Sequence, residues 1–229
     1  MVEEEKILTA NDVYREFKTA DVVLPVLRGI DLEIKRSEMT AITGASGVGK
    51  STLLHILGGL DRPTKGEVFV DGVPLNEQSE KALAKFRNKK IGFIFQFHYL
   101  MEDFSALENV MIPMLIAGKK KNEARDLGEL LLEQVGLSDR EHHQPRQLSG
   151  GEQQRVAVAR ALANEPEIVL ADEPSGNLDT VTGRKLHDLL FELNDKNDVT
   201  FLIATHNQEL AQRCFRNLKI VNGAISDHI

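Results

Sequence analysis

The segment GASGVGKS at 44–51 constrains what this chain can fold into more than any other stretch of it. It fits G-x-x-x-x-G-K-[ST], follows the apolar run MTAIT (39–43) and leads into STLLHILGG (51–59), so it reads as strand, glycine-rich loop and helix. At average residue usage the pattern arises by chance in roughly one per cent of chains this long. Its glycines let the backbone curl until consecutive N–H groups converge on an anion, and the helix adds its N-terminal partial charge. The expected phosphate cradle runs over Gly44, Ala45, Ser46, Gly47, Val48, Gly49, Lys50, Ser51 and Thr52. Lys50 is placed to reach the β- and γ-phosphates of a nucleotide, and the Ser51 hydroxyl to ligate Mg²⁺. The plain alternative is a glycine-rich turn before a helix with a solvated lysine.

A second constellation supports the phosphate reading. IVLADEP (168–174) is an apolar strand that ends in Asp172 and Glu173, and open α/β sheets bind ligands at such strand ends. Asp172 is expected to hold Mg²⁺ through water, and Glu173 to orient or deprotonate an attacking water. His206 follows the strand TFLIAT (200–205), and Gln96 follows IGFIF (91–95). By this topology both reach the same edge, His206 toward a γ-phosphate and Gln96 toward the metal and the water. Taken singly, each is an ordinary polar loop residue.

LSGGEQQRVAVARAL (148–162) opens a helix. Ser149 with Glu152 three residues on is a capping box, and Gly150 and Gly151 expose backbone N–H groups at the helix start. The loop at 44–51 already cradles the phosphates of one nucleotide. A second anion-binding helix end makes sense if it meets a phosphate held by another subunit.

Around these motifs, extended structure at 23–35, GEVFVDG (66–72) with its Asp-Gly turn, and a charged helix at 80–90 precede a change of character near 97. Leu127, Leu130, Leu131 and Val135 recur at helical spacing before Gly136, and strands return at 167–172 and 200–205 around a helix near 180–194. Alternating strands and helices imply a parallel sheet with helices on both faces. The expected fold is α/β: a P-loop NTPase core with an N-terminal β-rich part and an inserted helical part. We expect a single unit, with 1–96 and 166–229 forming the β-rich part and core, and 97–165 the helical insert.

The chain has 229 residues, with 28 basic and 35 acidic side chains and a formal net charge of −7, which argues against non-specific nucleic-acid binding. One cysteine, Cys214, allows no internal disulfide and fits a reducing compartment. The acidic start at Glu3, Glu4 and Glu5 does not read as a leader, and no apolar run approaches the ~20 residues that span a bilayer. Adjacent His142 and His143 make a poor tetrahedral metal site. FQFHYLMEDFSALENVMIPML (95–115) reads by default as core, but Met-rich and aromatic surfaces also make adaptable partner sites.

The ordered set GASGVGKS, Gln96, LSGGEQQR, IVLADEP, SGNLD (175–179) and His206 resembles the nucleotide-binding subunit of ATP-binding cassette (ABC) transporters over nearly the whole chain. The resemblance implies a RecA-like core with an antiparallel β subdomain and a helical subdomain carrying the LSGGE signature. It implies ATP and Mg²⁺ as ligands and a head-to-tail homodimer. Each ATP would lie between one subunit's P-loop and the other's Ser149, Gly150, Gly151 and Glu152, with Asp179 crossing the interface. An adenine-stacking aromatic falls at Phe17, with Tyr14 as the alternative; Ser175 stands where relatives often carry Thr or Ala. The stretch after the glutamine, 97–115, would contact two integral membrane permease subunits from the cytoplasmic face of the inner membrane. HILGGLDRPTKGEVFVDG (55–72) and LANEPEIVLADEPSGNLD (162–179) are similar to the subgroup of lipoprotein-releasing, macrolide-export and cell-division ATPases. That places the cargo, a lipoprotein, with the permease. A P-loop kinase would leave LSGGEQQR and SGNLD without a role. DNA- or ribosome-acting ABC ATPases usually carry a long coiled-coil insertion or a second cassette.

Overall fold

The computed structural model describes residues 5–18 and 22–226, so the acidic start at Glu3 and Glu4 lies outside the described residues. Along the chain come β1 (Lys6–Lys18), β2 (Val23–Lys35), β3 (Met39–Thr43), α1 (Lys50–Leu57), β4 (Lys65–Val70), β5 (Val73–Pro74), α2 (Glu80–Lys90) and β6 (Ile91–Ile94). Then follow α3 (Ala106–Ile116), α4 (Lys121–Gln134), α5 (Gly150–Leu162), β7 (Ile168–Asp172), α6 (Thr180–Asn197), β8 (Thr200–Ala204), α7 (Gln208–Arg213), β9 (Arg216–Val221) and β10 (Ala224–Ser226).

The strands form two sheets, an antiparallel one ordered β2-β1-β4-β5 and a larger one ordered β10-β9-β3-β8-β7-β6. In the larger sheet β9, β3, β8, β7 and β6 run parallel, and β10 pairs antiparallel with β9 at the edge. The sheet is therefore mixed, with an antiparallel edge that strand–helix alternation does not reveal.

Strand alternation sorts the central side chains into two cores. Ile168 and Leu170 of β7, with Leu202 and Ala204 of β8, join Leu53, Ile56 and Leu57 of α1 and Ile7, Ile30 and Ile34 of the antiparallel sheet. Val169, Ala171, Phe201 and Ile203 point the other way and pack under α3, α4, α5 and α6. Both faces of the central strands are covered, which is why they read as apolar runs. One face, however, carries α1 with the antiparallel sheet beyond it instead of helices alone.

The stretch at 95–115 divides. Val110, Met111 and Met114 are buried in α3, whereas Phe97, Tyr99, Met101 and Phe104 are 60%, 65%, 50% and 41% exposed. Buried Asn109 organises the turn before α3: its amide donates to the carbonyls of Met101, Phe104 and Ser105, and its Oδ1 accepts from Met101 N at 2.8 Å. Core packing and surface display thus alternate within one apolar sequence.

Candidate functional site

Because β3, β6, β7 and β8 are parallel, the residues that follow each of them emerge at one sheet edge. After β3 the loop can close only with glycine at two places. A Cβ on Gly44 (φ +154°) would stand 2.7 Å from the Ile220 carbonyl oxygen, and one on Gly49 (φ +107°) 2.9 Å from Leu27 Cδ2. Gly49 N-caps α1, so the loop's N–H groups and the helix start face the same space. Lys50 is buried; its Nζ donates to the carbonyls of Gly44 at 3.0 Å and Ala45 at 3.2 Å, and lies 3.9 Å from Glu173 Oε1.

Asp172 ends β7 with its Oδ1 buried and without a hydrogen-bond partner. Burial pushes its pKa up from the ordinary carboxylate range, opposed by a hydrogen bond from Ser51 and by the nearby His55 and Lys50. An orphaned acceptor next to a serine hydroxyl at the foot of a phosphate loop is the donor set a hard cation such as Mg²⁺ takes. The residues therefore fit the ion.

Glu173 follows in the left-handed region (φ +46°), a conformation rare for a residue with a side chain and typical of functional positions. Its backbone N–H bonds the Ala204 carbonyl at 2.8 Å, which ties the strand end to β8. Its Oε2 accepts from His206 N (3.2 Å) and Thr205 Oγ1 (3.3 Å) and meets His206 Nδ1 at 2.9 Å. Gln96 donates through Nε2 to Asn177 Oδ1 at 3.0 Å, and Asn177 Nδ2 donates back to the Gln96 carbonyl at 3.0 Å.

A cleft of ≈490 Å³ brings together Phe17, Ser46, Gly47, Gly49, Lys50, Ser51, Thr52, Gln96, Glu173 and His206. Phe17 lines it, with the Arg15 guanidinium 4.6 Å over the ring, whereas Tyr14 does not; its ring lies under Lys65 at 5.0 Å. Ser149, Gly150, Gly151 and Glu152 stand apart from this cleft. Ser149 and Glu152 form the expected capping box, and the Ser149 backbone and hydroxyl, aided by Arg140, hold the Glu152 carboxyl below its usual range. Gly151 packs tightly on α6, where a Cβ would stand 2.3 Å from Thr182 Cγ2. Asp179 caps α6, accepting from Val181 N at 3.0 Å and Thr182 N at 3.1 Å.

Several partners escape sequence reading. Thr205 and Asn177 belong to the site by contact with Glu173 and Gln96, and Ser175 is engaged by a buried histidine. Arg160 of α5 donates to the carbonyls of Tyr99 and His98 at 2.7 and 2.6 Å, and Gln154 to that of Phe95 at 2.8 Å. Only the position of SGNLD beside the strand end, and the polar residues on the buried side of the signature helix, could have signalled them.

Residues 27–176 match the family model described as "ABC transporter". The chain is similar to the lipoprotein-releasing system ATP-binding protein LolD of Syntrophus aciditrophicus, 55% identical over 202 residues that cover 88% of this chain and 91% of that one. The LolD of Legionella pneumophila (strain Lens) is 48% identical over 96% of both chains. Among solved structures, a dimeric ATP-binding cassette, MJ0796, in a post-hydrolysis state bound to ADP and Pi superposes with a TM-score of 0.88. It is 38% identical and covers 96% of this chain and 97% of its own. CbiO1 from Clostridium perfringens, part of the ABC transporter complex cbiONQ, superposes with a TM-score of 0.86 at 30% identity, over 98% of this chain and 88% of its own.

Proposed function

The chain belongs to the ABC transporter family, and on that premise we propose that it is the ATP-hydrolysing subunit that powers release of lipoproteins from a membrane. ATP is the substrate and Mg²⁺ the cofactor. The single observation that carries the chemistry is the convergence of Lys50, Asp172, Glu173 and His206 on one sheet edge, three of them lining one cleft.

In this reading the loop from Gly44 to Thr52 holds the phosphates, and Phe17 stacks on the adenine. Lys50 exchanges its bonds to the Gly44 and Ala45 carbonyls for phosphate oxygens. Ser51, Asp172 through water, and Gln96 would hold Mg²⁺, which would neutralise charge on the phosphates. Glu173 Oε2 is already engaged by Thr205 and His206, so Oε1 is the oxygen left to orient water and take its proton. His206, 70% exposed at its side chain, fixes that carboxylate and reaches the γ-phosphate.

The signature residues Ser149 to Glu152, which do not line the chain's own cleft, serve the nucleotide of a second copy in a head-to-tail dimer, with Asp179 at the interface. The signature-bearing stretch 97–165 is, in this reading, a helical subdomain set beside 1–96 and 166–229. Among the described residues no helix is long and apolar enough to cross a membrane. In this reading the work is delivered to two integral membrane permease subunits from the cytoplasmic face. Exposed Tyr99 meets edge-on the ring of Phe95, which lines a groove of ≈350 Å³ with Leu60, Phe93 and Pro113, and exposed Phe97 lies next to Tyr99. The bonds from Gln154 and Arg160 couple that strip to the signature helix. Burying an acyl chain is worth about 0.8 kcal/mol per CH₂, so lipoprotein extraction needs an energy source.

Turnover and nucleotide binding of two variants test the site. Glu173→Gln binds MgATP but turns over roughly 10²–10⁴-fold more slowly, the range for loss of a positioned base. Lys50→Ala loses nucleotide binding. Wild-type turnover in Glu173→Gln would remove Glu173 from the chemistry. Reconstituted vesicles bearing the co-purified permease and an acylated lipoprotein test the cargo: ATP-dependent release is expected, and ATP turnover without release would refute it.

A further inference from the structure

Ser175 lies between Glu173 and Asp179, and its hydroxyl is 2.7 Å from His187 Nε2 on α6. His187 is 1% exposed. Its other ring nitrogen, Nδ1, is buried and has no hydrogen-bond partner among the described residues. Burial first, and the Arg213 charge second, hold its pKa below the usual imidazole value, against Glu209 and Asp188. The ring is thus neutral at physiological pH, with one N–H and one bare nitrogen. In either tautomer one nitrogen bonds Ser175 and the other is left unsatisfied. A buried polar atom without a partner costs free energy, and an apolar side chain in its place would avoid that cost. Among the described residues the bond to Ser175 is the one hydrogen bond this imidazole makes.

The segment that Ser175 occupies turns on itself and ends on α6. The Gly176 N–H bonds the Glu173 carbonyl at 2.9 Å, and Leu178 N bonds Ser175 O at 3.0 Å. Asn177 and Gln96 exchange hydrogen bonds at the cleft, and Asp179 caps α6. Among the described residues the hydrogen bond from His187 ties the middle of this segment to the body of α6, two turns into the helix.

We propose that His187 is a positioning residue for ATP hydrolysis: through Ser175 it holds the segment from Glu173 to Asp179 in register with α6. The Glu173 carboxylate and the Gln96–Asn177 pair then keep the geometry that acts on water. The inference rests on the reading of Glu173 as the group that orients that water. Among the described residues His187 is not one of those lining the cleft with the P-loop and Phe17, so its effect falls on turnover and not on nucleotide capture.

Steady-state ATP turnover by the full chain tests it with Ser175→Ala, His187→Leu, His187→Gln and the Ser175→Ala/His187→Leu double variant. Ser175→Ala and His187→Leu each lower kcat by about ten-fold or more, since small misplacements of reacting groups are expensive, and leave KM for ATP unchanged. The double variant is no slower than the worse single one, because both remove the same bond. His187→Gln, whose amide can still bond Ser175, recovers most of the rate. His187→Leu melts no lower than wild type. Wild-type kcat in both Ser175→Ala and His187→Leu would overturn the proposal. So would additive losses that follow Tm, or a His187→Gln no faster than His187→Leu. Glu173→Gln assayed alongside separates the two readings: an active Glu173→Gln removes the premise, whereas an inactive one beside fully active Ser175→Ala and His187→Leu refutes the role of His187 alone.

Discussion

Asp172 carries a buried carboxylate oxygen that nothing in the protein satisfies, and burial holds its pKa above the ordinary value. A raised carboxylate pKa means the folded state disfavours the charged form. The penalty is full at pH above the raised folded value and vanishes as pH falls through it toward the unfolded value of 3.8. Asp172→Asn is therefore expected to melt a few degrees above wild type without nucleotide at neutral pH, with the gap closing in acid. The same variant loses Mg²⁺-dependent turnover, the familiar exchange of stability for function at a site. Thermal melts at two pH values and an ATPase assay check both halves; a lower Tm at neutral pH would contradict the account. Glu173 and Asp172 were legible as residue types at a strand end. Which oxygen of Glu173 accepts no hydrogen bond was not, because Thr205 and His206 reach the other from 32 and 33 residues away.

At the scale of elements, the two sheets are clamped at the end opposite the cleft. Arg36, just after β2, pairs with Glu167, with Asp71 at 2.8 Å and with Glu5 at 3.1 Å. Lys90, the last residue of α2, meets Asp71 at 2.9 Å and Glu167 at 2.7 Å. Lys90 foremost, with Arg36, holds the Asp71 and Glu167 carboxyls below their usual range. Lowered carboxylate pKa values stabilise the fold above the unfolded values of 3.8 and 4.5, and that contribution is lost as pH falls through the lowered folded values. Lys90→Met should cost about 2 kcal/mol near neutral pH, between an exposed and a buried pair, or roughly 4–8 °C in Tm. Denaturant melts should show the gap full above pH 4.5 and closing below it; a gap that grows in acid would refute the clamp. Strand β1 shows why some elements are hard to read: its register shifts between Ala10 and Val13, where Asp12 adopts φ +49°, break the alternation that marks a strand.

For the whole molecule, the split between a cleft holding the P-loop and signature residues that do not line it predicts association driven by nucleotide. The Glu173→Gln protein should sediment as a monomer alone and as a dimer with MgATP; equal mass under both conditions would sink the shared-site model. The exposed apolar strip makes a separate prediction. Charged substitutions at Phe97, Tyr99 or Met101 should abolish co-purification with the permease or uncouple turnover from release while leaving nucleotide affinity intact. Because these side chains are half or more exposed, the variants should fold normally, with Tm within a few degrees of wild type. Normal assembly and release by all three variants would place the docking surface elsewhere.

By itself the sequence determined what depends on near neighbours. The phosphate loop, the acidic strand end and the capped signature helix each need residues within a turn or two of one another, so spacing and residue type suffice. The order of strands and helices, read the same way, was enough for the α/β class. The tertiary structure alone decided what depends on distant chain segments meeting. It set Gln96 against Asn177, 81 residues away, and Thr205 and His206 against Glu173. It chose Phe17 over Tyr14 for the cleft, buried Met111 and Met114 while leaving Phe97 and Tyr99 outside, and closed the sheet with an antiparallel edge. Hydrogen bonds and burial between remote segments are set by how the cores of the two sheets pack, and no local pattern of residues encodes that.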